Sequence, residues 1–197
     1  ANDAAVSPVA ITAADGTYTL NVPAKRDAQG KPLAAKLTLR ADAAAYQTFP
    51  LAPRVALPID VNTAVGEPPL VQNASTDIAL LPLANASGLG SIAGKVIVDP
   101  GLDLSPAGAL VVAGGSTGVV DFKGNFVVFN VAAGTGVGVQ AYAAGLQVEP
   151  ATVDVVAAKE TAGVELHGHD GFTISVGGHK QHVAIEWAPG QGLVRAT

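Results

Sequence analysis

All four histidines of the 197-residue chain fall within sixteen positions: His167, His169, His179 and His182. On a strand, side chains two residues apart share a face, so His167 and His169 are set to meet one ion, with Asp170 alongside. If Gly177-Gly178 reverses the chain, His179 or His182 brings a third nitrogen, and three imidazoles suit zinc, copper or nickel. The competing reading makes them polar residues of a linker and a hairpin tip. No cofactor other than a zinc or copper ion on this cluster is expected.

Two further motifs carry a chemical suggestion that their surroundings oppose. Gly114-Gly115-Ser116-Thr117-Gly118 fits the pattern around a hydrolase serine, with Asp154 and His167 following in the required order. That chemistry needs a strand running into a helix, whereas Val119-Val120 leads into another turn and strand, so the segment reads as a flexible hairpin loop. Gly136-Val137-Gly138-Val139-Gln140-Ala141 resembles a dinucleotide loop but has no helix after it to receive a phosphate. Its glycines read as permitting close sheet packing or a bulge. Asp99, Asp103 and Asp121 sit in no regular calcium loop and read as turn formers. Asn73-Ala74-Ser75 and Asn85-Ala86-Ser87 are glycosylation sequons, relevant only in a host that uses them. Trp187 lies in an apolar alternation that favours core over sugar stacking. No catalytic residue is expected, and the chain is read as a non-enzyme.

The scaffold behind these groups is β. Half the residues are hydrophobic at 49%, yet aromatics are 5%, so cores must be thin and aliphatic. With 23 Gly, 13 Pro and 14% charged residues, the chain is too punctuated for long helices and too apolar for disorder. Lack of cysteine excludes disulfides and thiol nucleophiles. Lack of methionine, an initiator included, implies a start made by processing or by a cut in a longer chain. A formal charge of −5 opposes nucleic-acid or anionic-membrane partners. The uncharged run from Gly124 to Val148 alternates with period two, as buried strands do, and is not a membrane span.

A repeat organises the chain. Asp15-Gly16-Thr17-Tyr18-Thr19-Leu20-Asn21-Val22-Pro23 recurs as Lys123-Gly124-Asn125-Phe126-Val127-Val128-Phe129-Asn130-Val131, each a glycine turn and an alternating strand that ends at Asn-Val. Lys36 to Ala41 then matches Val137 to Tyr142, and Thr76 to Leu83 matches Thr161 to Leu166. The expected fold is all-β, with two tandem immunoglobulin-like or transthyretin-like β-sandwiches and a C-terminal β-hairpin or partial third repeat. The division is 1–84 for the first sandwich, 85–90 for a linker, 91–167 for the second and 168–197 for the C-terminal β segment. Lys25 to Pro32 and Pro50 to Pro69 are surface loops of the first copy. That copy lacks the strand Ser91 to Val98 with which the second begins. In the C-terminal segment, Gly171 to Val176 and Val183 to Trp187 are two strands.

The second copy resembles the carboxypeptidase regulatory-like domains of the transthyretin-like superfamily. The matching residues are Gly94-Lys95-Val96, Pro106-Ala107-Gly108-Ala109-Leu110-Val111, Asp121-Phe122-Lys123-Gly124-Asn125-Phe126, Val131-Ala132-Ala133-Gly134-Thr135, and Val139-Gln140-Ala141-Tyr142 followed by Gly145. The resemblance implies a seven-stranded sandwich serving as a structural or adhesive module on exported bacterial proteins, extracellular or at the cell surface, with the periplasm as an alternative. Two other readings stay open. One is a subunit that polymerises into filaments by strand exchange through its open sheet edges, a homo-oligomer. The other is a metal-binding module using the histidine cluster.

Overall fold

The computed structural model describes residues 9–22, 26–30, 33, 36–100, 102, 104–143, 145–170, 172–176 and 179–183, with 170 and the last two segments described for backbone alone. Asp103, Trp187 and the expected strand beyond Val183 lie outside those residues. The chain is all-β. Among the described residues the first half carries two short strands, β1 (Lys36–Leu37) and β2 (Ile59–Asp60), and the remainder carries ten: β3 (Leu89–Val98), β4 (Leu110–Ala113), β5 (Ser116–Val119), β6 (Asn125–Ala132), β7 (Gly134–Tyr142), β8 (Leu146–Val148), β9 (Ala151–Val155), β10 (Glu160–Asp170), β11 (Phe172–Val176) and β12 (His179–Val183). Among the described residues no helix is long and apolar enough to cross a membrane. The uncharged run from Gly124 to Val148 is spent on β6, β7 and β8.

Residues 89–170 make two four-stranded sheets, ordered β6-β3-β10-β8 and β5-β4-β7-β9. Their inner faces share one core. Ile92, Val96, Val128 and Leu166 from the first sheet meet Val111, Val139 and Val155 from the second, all buried. Period-two alternation places them there: on β10, Val164 and Leu166 are buried while Glu165 and His167 are exposed. The first and last strands of this unit, β3 and β10, lie side by side and parallel. Every other neighbour pair in the two sheets is antiparallel.

Gly94 makes that arrangement possible. It sits on the central strand β3 between β6 and β10, and a Cβ there would stand 2.1 Å from the Val164 carbonyl oxygen and 2.7 Å from Phe126 Cζ. Nothing larger than glycine fits without moving the backbone of β10.

Several expectations require adjustment. β3 begins at Leu89, inside the expected linker, and β10 continues to Asp170. Only Gly114-Gly115, with φ of +54° and +83°, form the turn of the β4–β5 hairpin, and Ser116 is already paired with Ala113. That is the two-residue turn whose twist matches the strands, so the segment is a tight corner and not a flexible loop. The C-terminal hairpin is present as β11 against β12, but its second strand starts at His179, which pairs with Val176.

The first half differs most from expectation. Residues 17–22 and 76–83 form no strands; Tyr46 makes an isolated bridge to Pro82, and Ala41 another to Phe49. Among the described residues the only buried apolar side chain before residue 89 is Ile59, while Val9, Ile11, Leu51, Val55, Val65 and Leu70 are exposed. Yet the turns of the repeat are all there. Ala13 N–H donates to Thr17 O at 2.8 Å and Gly16 N–H to Ala13 O at 2.9 Å; Asp121 and Gly124 repeat both bonds at 2.8 and 3.0 Å. Gly16 and Gly124 have φ of +84° and +85°. A second turn also recurs, with Tyr46 N–H on Ala43 O at 3.2 Å and Leu146 N–H on Ala143 O at 3.4 Å. Ala45 and Gly145 take positive φ there, at 66° and 75°. This turn sets Ala41 opposite Ala141, one residue away from the strand match read from sequence.

Gly94→Ala is expected to lower stability by about 1–3 kcal/mol or more, because the backbone must give way. Gly138→Ala in β7, where a Cβ meets nothing within 4 Å, is expected to stay within about 0.5 kcal/mol. Urea denaturation of the two variants checks both values.

Candidate functional site

β10 carries His167 and His169 on its outer face, as the spacing predicts, but they have different partners. His167 Nε2 lies 3.8 Å from Glu165 Oε2. His169 Nδ1 lies 2.7 Å from Asp99 Oδ2, and its Nε2 lies 3.4 Å from Glu149 Oε1. Asp99 follows β3 and Glu149 follows β8, so one imidazole ties three segments at one end of the sandwich. Two main-chain bonds hold the segments in place: Asp99 N–H to Gly168 O at 3.2 Å, and Glu149 N–H to His167 O at 2.8 Å. The hydrogen bond to Asp99, and the charge of both carboxylates, raise the His169 pKa above its ordinary value against a smaller opposing effect of burial. An imidazole flanked this way is favoured in its protonated form, which has no lone pair to offer a metal. His179 and His182 lie on β12, across from Val176 and Thr173, but their side chains are outside the described residues. Among the described residues no group of three or more His, Asp or Glu side chains could hold a metal.

The serine motif is taken apart by the fold. Ser116 Oγ donates to the Asn130 carbonyl at 2.8 Å. Asp154 Oδ1 accepts the Gly136 N–H at 2.9 Å, and His167 faces Glu165. The three residues have three separate structural jobs. In the glycine motif, Gly136 has φ of +62° beside a register break between Gly134 and Val137, which favours the bulge over close packing. Asp121 accepts from the N–H groups of Lys123 and Asn125, both at 2.8 Å, and so builds the turn into β6. Asn73 and Asn85, of the two sequons, accept from Ser75 and Ser87 N–H at 2.8 and 3.1 Å.

The most developed polar constellation was not legible as one. Asn130 sits in β6 with φ of +60°. Between Gly90 and Ile92 on β3, β6 advances from Val131 to Val128, one residue more than its partner, so Asn130 lies in a β-bulge. The bulge turns its side chain onto the first half of the chain. Its Nδ2 donates to Ala43 O at 3.1 Å and Tyr46 O at 2.8 Å, and its Oδ1 accepts from Ala45 N–H at 2.8 Å. Beside it, Arg40 Nη2 donates to Thr117 O at 2.8 Å and Thr117 Oγ1 at 3.0 Å. Asp42 holds that guanidinium at 2.7 and 3.1 Å and accepts from Thr48 Oγ1 at 2.7 Å. The turn 43–46 is thus seated on the β5 and β6 edges of the sandwich. One signal was available: Asn21 follows Gly16 by five residues and Asn130 follows Gly124 by six, and that extra residue is the bulge.

No protein-family model matches the sequence, and no curated protein matches it. A groove lies over Gly94, lined by Lys95, Asn125, Phe126, Gly163, Val164 and Glu165 among others.

Because the folded pKa of His169 is above the unfolded value of about 6.5, its contribution to stability is full below that pH and declines as pH rises through the folded value. Denaturation midpoints compared at pH 5.5 and 8.5 are expected to show this loss in the wild type. His169→Gln is expected to remove that part of the pH dependence.

Proposed function

We propose that the chain is a non-catalytic structural module, a unit of a stacked array in which successive copies are locked edge to turn. The observation that carries this reading is the joint around Asn130. Consecutive units joined only by a flexible linker need no such contact. Here the Asn130 side chain makes three hydrogen bonds to the main chain of the preceding half, and from that half Arg40 donates back to the Thr117 carbonyl and hydroxyl oxygens. Bonds to main-chain groups depend on the shape of the turn more than on its sequence, which suits a joint used repeatedly.

The likeness to carboxypeptidase regulatory-like domains supports the same reading. Gly94, Lys95 and Val96 lie on the central strand, and Asp121 to Phe126 form the turn into β6. An exported, cell-surface or periplasmic setting in a bacterium is part of the proposal and comes from that resemblance alone.

Asn130→Gly tests the joint, since glycine keeps the positive φ and removes only the side chain. The Ala45 amide is expected to exchange with solvent roughly tenfold faster, in proportion to one lost hydrogen bond. Small-angle scattering should show the two halves moving apart. Unchanged exchange at Ala45 would overturn the joint. Hydrolysis of a chromogenic ester that disappears in Ser116→Ala would overturn the non-catalytic reading.

A further inference from the structure

The chain carries one glycan-acceptor tripeptide twice, as Asn73-Ala74-Ser75 and as Asn85-Ala86-Ser87. The three residues are identical, so a difference in what the two can accept comes from their settings. In such a tripeptide the asparagine Nδ2 takes the sugar, and the site must lie at the surface for a transferase to reach it. Both asparagines are exposed, and neither Nδ2 has a hydrogen-bond partner among the described residues.

The settings differ in everything else. Asn73 caps the short 3-10 turn Ala74–Thr76 in a reciprocal box. Its Oδ1 accepts the Ser75 N–H at 2.8 Å, and its own N–H donates to Thr76 Oγ1 at 3.1 Å. Its carbonyl oxygen accepts the Thr76 N–H at 2.8 Å and the Thr76 hydroxyl at 2.7 Å. Ser75 is half-buried, and the Tyr18 hydroxyl donates to the Thr76 carbonyl oxygen, which fastens the turn to a segment distant in sequence. Lifting Asn73 into an enzyme therefore takes the cap apart.

Asn85 is held only by its own tripeptide. Its Oδ1 accepts the Ser87 N–H at 3.1 Å and the Ser87 hydroxyl at 2.6 Å, and its main chain makes no hydrogen bond among the described residues. Ser87 is exposed as well. Gly88 then turns the chain into β3 with φ of +83°, and a Cβ there would meet nothing within 4 Å. The tripeptide stands in open space where the chain leaves its first half, and it can change shape without disturbing either neighbour.

We propose that Asn85, and not Asn73, is an acceptor for an N-linked glycan on the folded chain. The donor class is an oligosaccharide carried on a lipid pyrophosphate. Asn85 Nδ2 bonds to the anomeric carbon as the bond from that carbon to the pyrophosphate oxygen breaks. The lipid pyrophosphate leaves, and one amide proton passes to a base of the transferase. The inference is independent of the joint at Asn130 and of the non-catalytic reading.

The test treats the folded full chain, and synthetic peptides of residues 70–79 and 82–91, with a purified single-subunit oligosaccharyltransferase that modifies both peptides, together with its lipid-linked donor. Intact mass and peptide mapping follow each site. The two peptides are expected to react at similar rates, while in the folded chain Asn85 reacts roughly tenfold or more faster than Asn73, the effect of an intact cap of ordinary strength. Asn85→Gln is expected to remove the mass gain. No glycan at Asn85 of the folded chain, or equal rates at the two sites, would overturn the proposal. So would the same preference in the peptides, which would assign the choice to flanking sequence instead of the fold.

Discussion

The close approach of three main chains at Gly94 governs the rest of this structure. β3 lies between β6 and β10, and the Phe126 ring and the Val164 carbonyl close over a residue with no side chain. Because β3 and β10 are parallel neighbours, every strand between them in sequence must be accommodated in the crossover that joins them. The two sheets, their shared aliphatic core and the hairpin corners follow from bringing those strands together. A core made mostly of valine and alanine holds little apolar surface per residue, so it tolerates few gaps. Main chains that touch directly are the way such a core reaches normal density.

The same dependence explains the contrast between the halves of the chain. Turns are local: a glycine at positive φ and one or two hydrogen bonds form them with no help from distant residues. Ala13 to Thr17 and Ala43 to Tyr46 therefore take the shapes of their counterparts even where no sheet surrounds them. Sheets are not local. Among the described residues, the segments at 18–22 and 76–82 alternate in burial but form no ladder, and Leu51, Val55 and Val65 are exposed. The joint around Asn130 then has a further consequence. It fastens the first half to the second through main-chain contacts that require a turn and not a core.

Several of the polar residues that suggested chemistry are engaged in structural contacts. Ser116, Asp121 and Asp154 each satisfy main-chain groups at a turn or bulge, and His169 draws two carboxylates together at the end of the sandwich. An extended strand exposes many such groups at its irregular points, and short polar side chains are the usual means of meeting them. Sequence spacing alone does not separate a serine that attacks from one that caps a bulge.

Composition and periodicity were enough to determine an all-β chain, the strands at 91–98, 125–131, 137–142 and 161–166, the hairpin near the C-terminus and the shared outer face of His167 and His169. These depend on nearest-neighbour geometry, alternation along a strand and φ at a glycine, which a sequence displays directly. The roles of Gly94, Asn130 and Arg40 were decided only by the tertiary fold. So were the tight corner at Gly114-Gly115 and the lack of strands at 17–22 and 76–83. Each of these turns on a partner distant in sequence: Val164 for Gly94, Ala45 for Asn130, Thr117 for Arg40. A bulge adds one residue to one strand and aims a side chain at another part of the molecule. The sequence shows that residue as an offset in a repeat, and only the assembled sheets show what it grips.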